Sequence, residues 1–148
     1  MILVHGTTVA IEGAGVLLRG PSGSGKSDLA LRLIDGGARL VADDQTELTR
    51  SPNGLVARSP ASIAGKMEVR GVGIVRVPTV PSATVQLVVD LVPPDRVERL
   101  PEPEFCEYLQ CSLPLLVLAP FEASAPAKVR LALASLVKTA SLPIVGLP

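Results

Sequence analysis

Residues 15 to 44, GVLLRGPSGSGKSDLALRLIDGGARLVADD, decide the fold. At their centre, Gly20-Pro21-Ser22-Gly23-Ser24-Gly25-Lys26-Ser27 fits the pattern G-x-x-x-x-G-K-[ST]. Residues 15 to 19 form a short aliphatic run that stops at Gly20-Pro21, as a buried strand entering a glycine-rich turn does. From residue 27 to 35, Leu29, Ala30, Leu33 and Ile34 share one helical face. Gly36-Gly37 ends that helix by supplying a residue that tolerates the left-handed conformation. Residues 39 to 42 make a further apolar strand, which stops at Asp43-Asp44. A strand, a loop, a helix and a strand in this order form the core of an α/β nucleotide-binding fold.

The loop's composition follows from what it must hold. Glycines let backbone N–H groups turn inward around a β-phosphate, and the helix that starts there adds its positive end. Lys26 then reaches the β- and γ-phosphates, and the Ser27 hydroxyl ligates Mg²⁺. The whole of Gly20, Pro21, Ser22, Gly23, Ser24, Gly25, Lys26 and Ser27 is thus a candidate ATP·Mg²⁺ site. The bland alternative is a Gly/Ser linker that contains a lysine, and the flanking strand and helix argue against it.

Outward from this unit the signals are shorter. Residues 2 to 4 and 9 to 11 are β candidates, joined as a hairpin through residues 5 to 8. Residues 46 to 49, 55 to 58 and 74 to 77 read as strands, the first two joined by a turn at Ser51-Pro52-Asn53-Gly54. Residues 86 to 91 and 115 to 118 are stronger strands, and the Pro-rich stretch from 93 to 103 reads as a surface loop. Residues 127 to 140 make the clearest helix, with Val129, Ala132, Leu133, Leu136, Val137 and Ala140 in one apolar stripe.

A length of 148 residues suits one domain, so residues 1 to 148 are expected to form a single unit. Apolar residues make up 47% of the chain but aromatic ones only 2%, so the core is aliphatic, as in a parallel sheet covered by helices. Fourteen basic residues balance fourteen acidic ones, which gives no support for a bulk nucleic-acid or membrane-surface binder. No apolar stretch reaches the roughly 18 to 20 residues a bilayer span needs, and the N-terminus lacks a basic segment and a long apolar run. Cys106 and Cys111 are too few for a disulfide scaffold and lack the second ligand pair that zinc requires, so they read as packing thiols in a reduced cytoplasmic compartment.

Three further places carry polar groups of interest. Adjacent acids on a continuing strand point to opposite sides, so Asp43 and Asp44 act together only if the chain turns there. One would then hold metal or its water shell while the other takes a proton from an acceptor hydroxyl; otherwise the pair is a solvated turn. His5 is the sole histidine, and a lone histidine is structural more often than catalytic. Glu68 and Arg70, beside Gly71 and Gly73, read either as a metal ligand with a phosphate clamp or as a solvated strand end.

Together these blocks resemble the bacterial HPr kinase/phosphorylases. The resemblance rests on His5-Gly6, on residues 13 to 18 running into GPSGSGKSD, on LIDGGARLVADD (33 to 44) and on EVRGVGIVRV (68 to 77). Asp28 directly after the loop serine and the weaker block Val97-Glu98-Arg99-Leu100 also fit. The resemblance implies a P-loop core like the HPr kinase C-terminal domain, with a central sheet and flanking helices. It implies an ATP-dependent kinase acting on a serine of the phosphocarrier HPr, which regulates the sugar phosphotransferase system. Carried over by residue, it gives Lys26 to the transferred phosphate, Ser27 and Glu68 to Mg²⁺, and Asp44 the role of base. His5 and Arg99 become accessory groups around the phosphate.

Two departures shape the expectation. The resemblance is to the short alphaproteobacterial form, for which the N-terminal domain of longer members is not expected. Residues 119 to 124 (APFEAS) lack the glycine and basic residues of the loop linked to dephosphorylation, so phosphorylase activity and metabolite sensing lie outside what is implied. A homo-oligomer, a hexamer in the family, is the implied assembly. The rival readings are a small-metabolite P-loop kinase and a nucleotide-binding regulatory module without catalysis.

Overall fold

In a computed structural model, residues 1–60 and 65–138 are described. The strand–loop–helix–strand unit is present: β3 (Ala14–Arg19), α1 (Lys26–Asp35) and β4 (Arg39–Ala42). Gly25 caps α1 with φ 102°, a backbone angle open to glycine and strained for other residues. At the other end Gly36 remains at φ −88°, and Gly37, at φ 111°, is the residue in the left-handed region.

Around this unit lie β1 (Ile2–His5), β2 (Thr7–Ile11), β5 (Gln45–Ser51), β6 (Gly54–Arg58), β9 (Ser82–Leu91), β10 (Glu104–Tyr108) and β11 (Cys111–Leu118). They form one sheet with β3 and β4, in the order β1-β5-β6-β9-β3-β2-β4, with β11 and then β10 attached to β9. A separate ribbon pairs β7 (Lys66–Val69) with β8 (Gly73–Arg76). The expected turn at Ser51 to Gly54 joins β5 to β6 as an antiparallel hairpin. The 93 to 103 loop is irregular apart from one 3-10 turn, Pro94–Arg96.

Two expectations give way. β1 does not pair with β2 as a hairpin; it pairs with β5. Only Gly6 separates β1 from β2, and one residue is too short to reverse the chain. The sheet is also not uniformly parallel. Among the described pairings, β9 runs parallel to β3 and β11, and the others are antiparallel. Aliphatic composition reports burial, which both kinds of sheet achieve here.

The sheet must curl. β5 and β4 stand five positions apart in it, about 24 Å if flat. Yet only Asp43 and Asp44 link them, and three virtual bonds span at most about 11 Å. The ends meet along a seam where β1 continues into β2 and β4 into β5. The Gly6 amide donates to the Asp44 carbonyl at 2.9 Å across it. Below, the Thr46 hydroxyl donates to the Gly6 carbonyl at 3.0 Å and lies 2.9 Å from the Thr8 hydroxyl. Gly6 is itself required by close approach, since a Cβ there would stand 2.8 Å from Leu17 Cδ1.

Curling gives two cores. On the outer face α1 and α2 (Ala125–Lys138) pack Leu29, Leu33, Val129 and Leu133 against Val16, Leu18, Leu87 and Val89. Within the curl lie Leu17, Val41, Leu48, Leu55, Val85 and Val88. Alternation along β3 explains the division of Leu17 from Val16 and Leu18. α2 begins two residues before the expected helix; the side chains of residues 137 and 138, and residues 139 and 140, lie outside the described part.

Candidate active site

The glycine-rich loop opens α1 at the floor of a cleft of about 540 Å³. The first helical N–H groups have no intrahelical acceptors, so this floor is a row of free donors at the positive end of a helix. Lys26 is only 6% exposed, and its Nζ donates to the carbonyls of Gly20 (2.7 Å) and Pro21 (3.1 Å). The lysine expected to reach phosphate is here folded onto its own loop. Burial pushes its pKa below the ordinary lysine value, while the charges of Asp44 and Asp43 pull the other way.

The acid pair sits at the seam, and the chain does turn there. Asp44 has φ 67°, strained for a residue with a side chain, and strain of this kind concentrates at functional sites. The turn brings both carboxylates to the same cleft. Asp43 Oδ1 accepts from the Ser27 hydroxyl at 2.8 Å and from the Thr7 hydroxyl at 3.1 Å. Thr7 Oγ1 in turn accepts from the Asp44 amide at 3.1 Å, which fixes the strained peptide. His5, at the end of β1, places Nε2 2.9 Å from Asp44 Oδ1. With Asp44 ionised, the proton of that contact belongs to His5 Nε2.

Glu68 and Arg70 come from the β7–β8 ribbon, and both line the cleft with exposed side chains. Glu68 thereby joins Ser27 and Asp43 around one hollow. Arg99 is different: it is exposed in the loop after β9 and does not line the cleft. The short block that carried it fixes no position in space.

Hard oxygen donors suit Mg²⁺, which takes one or two protein ligands and completes its shell with water and phosphate oxygens. The Ser27 hydroxyl beside the Asp43 carboxylate fits that ion. Among the described residues, no three His, Cys, Asp or Glu side chains gather closely enough to form a metal cage by themselves.

Several groups escaped the sequence reading. Thr7, which bridges Asp43 and the Asp44 amide, carried no signal beyond its position after His5-Gly6. Phe121, from the loop after β11, also lines the cleft. Its segment is tied to α1 by Arg32, which donates to the carbonyls of Pro120 and, at 3.2 Å, of Glu122. Arg32 is itself paired with Asp28 at 2.9 Å. An aromatic residue in a chain with two Phe and one Tyr was the available clue. Cys106 and Cys111 lie away from this cleft on β10 and β11, against the inner core, and burial pushes the Cys106 thiol up.

A curled mixed sheet with helices on one face and a glycine-rich loop opening α1 defines a mixed α/β domain of the HPr kinase C-terminal kind. The HPr Serine kinase C-terminal domain family matches residues 1–118, and the chain belongs to that family. It is 49% identical over 75 residues to the HPr kinase/phosphorylase of Clostridium acetobutylicum, covering 51% of this chain and 25% of that protein. Against the HPr kinase/phosphorylase of Limosilactobacillus reuteri it is 43% identical over 96 residues, covering 60% and 30%. The chain thus spans a quarter to a third of the length of these curated relatives. The solved Hpr(Ser) kinase/phosphatase from Coxiella burnetii superposes with a TM-score of 0.76 at 28% identity, covering 95% of this chain and 90% of that one.

Proposed function

We propose that this chain is an ATP-dependent kinase domain that phosphorylates a serine of HPr. The observation that carries the reading is the left-handed turn at Asp44, which sets its carboxylate beside His5 and in one cleft with Lys26 and Ser27. Phosphoryl transfer needs positioning and charge neutralisation more than covalent chemistry. The loop amides and Lys26 hold the donor phosphates. Ser27, Asp43 and Glu68 are the residues that would hold Mg²⁺, which supplies neutralisation of the phosphate charge.

Asp44 accepts the proton of the acceptor serine hydroxyl. The serine oxygen bonds to the γ-phosphorus as the bond to the β–γ bridging oxygen breaks, and ADP leaves. His5 occupies Asp44 Oδ1 and leaves Oδ2 for the acceptor, so it orients the base. Among the described residues no helix is long and apolar enough to cross a membrane. Incubation with ATP·Mg²⁺ and HPr, followed by mass spectrometry, is expected to find phosphoserine on HPr. A folded, ATP-binding preparation that transfers nothing to HPr would overturn the reading.

A further inference from the structure

Phe121 is 68% exposed although it stands beside the phosphate loop. Its ring lies against the phosphate cradle: a Cβ on Gly25 would be 2.9 Å from its Cζ and 3.1 Å from its Cε1. Leaving so large an apolar face in water is unfavourable unless something covers it. The backbone around it is not left to chance. Arg32, held by Asp28, donates to the carbonyls on both sides of Phe121, those of Pro120 and Glu122. Lys128 pairs with Glu122 at 3.0 Å. A loop clamped from two helices presents a ring that itself is free.

Sheet order says which part of a ligand meets that ring. The strand leading into the cradle is β3. Asp43 and Asp44 follow β4, which lies beyond β2 on one side of β3, whereas Phe121 follows β11, beyond β9 on the other side. The carboxylates and the ring therefore flank the cradle from opposite directions. A phosphoryl donor must turn its reacting end toward the carboxylates. The remainder of the donor, the part that leaves, then extends toward Phe121.

We propose that Phe121 is a specificity-determining residue that stacks on the base of a nucleoside triphosphate and so selects nucleotide over inorganic polyphosphate as donor. The inference rests on the phosphate-cleft reading of the function and adds the ligand's other end. A ring offers a π-face to a planar base, whereas it offers nothing to a bare phosphate chain.

The test uses the whole chain and two ligands, ATP·Mg²⁺ and tripolyphosphate·Mg²⁺. Phe121→Ala is expected to weaken ATP about tenfold, the scale of one lost stacking partner, and to leave tripolyphosphate unchanged. The chain has no tryptophan, so Phe121→Trp places a single indole reporter at the site and retains a ring should the alanine variant fail to fold. Its fluorescence is expected to change on adding ATP and not on adding tripolyphosphate. Equal responses to both ligands, or an ATP affinity that Phe121→Ala leaves untouched, would overturn the proposal while leaving the cleft reading intact. Loss of transfer to the acceptor protein with normal ATP affinity would assign Phe121 to the acceptor and overturn it equally. A wild-type protein that binds neither ligand would sink both readings.

Discussion

Arg19 and Asp90 grip each other with two hydrogen bonds, 2.7 and 2.9 Å, across the parallel strands β3 and β9 at the step where β3 becomes the phosphate loop. The Tyr108 hydroxyl lies 2.9 Å from the same guanidinium, and its ring centroid 5.7 Å. The Asp90 contact dominates and holds Arg19 more firmly protonated than usual, against the opposing effect of burial. Asp90→Ala would strand a partly buried cation, at a cost of about 1–3 kcal/mol. Urea unfolding should show the midpoint fall; an unchanged midpoint would mean solvent compensates fully.

Asp44→Asn keeps the size and the turn but cannot take a proton. ATP affinity is expected to survive and transfer to HPr to drop by about 10²–10⁴, the usual worth of a general base. Normal transfer by this variant would refute the base assignment.

Lys26 gives a pH dependence whose sign is fixed. Its pKa in the free cleft is lowered by burial, and bound polyphosphate raises it again. Between those two values the complex holds more protons than the free protein, so ATP affinity falls as pH rises through the window and levels out below it. Calorimetric titrations across alkaline pH should show this slope in wild type and lose it in Lys26→Met. The same slope in both proteins would remove Lys26 from the interaction.

Gly25→Ala meets two penalties, the φ of 102° and the Phe121 ring. The left-handed backbone alone costs about 1–2 kcal/mol. Adding Phe121→Ala should recover the steric share, and a double-mutant cycle by urea unfolding measures it. Strict additivity would show that the ring yields freely.

The elements that sequence reveals best are those whose signal is local. The loop from Gly20 to Ser27, α1 and β4 are each written in neighbouring residues, and all appear where their pattern places them. The β5–β6 turn does too, because Pro-Asn-Gly dictates it. β7 and β10 were missed, since Lys66–Val69 and Glu104–Tyr108 are mixed in polarity and owe their pairing to partners. The β1–β5 pairing was missed for the same reason: His5 and Gln45 are register partners from strands far apart in the sequence. In the cleft, residue types with an obvious chemistry, Lys26, Ser27, Asp43 and Asp44, were legible. Thr7 and Phe121 reach Asp43 and Gly25 through position, which composition does not encode.

The His5–Asp44 contact joins residues 39 apart in sequence, and that of Thr7 with Asp43 spans 36. Each continues a ladder between neighbouring strands, β1 with β5 and β2 with β4, but the two can be held at once only where the ends of the sheet have met. Under the proposed function, competence for transfer is thus a readout of closure. Mild denaturation that parts the join should silence the protein while circular dichroism still records its helices and most of its strands.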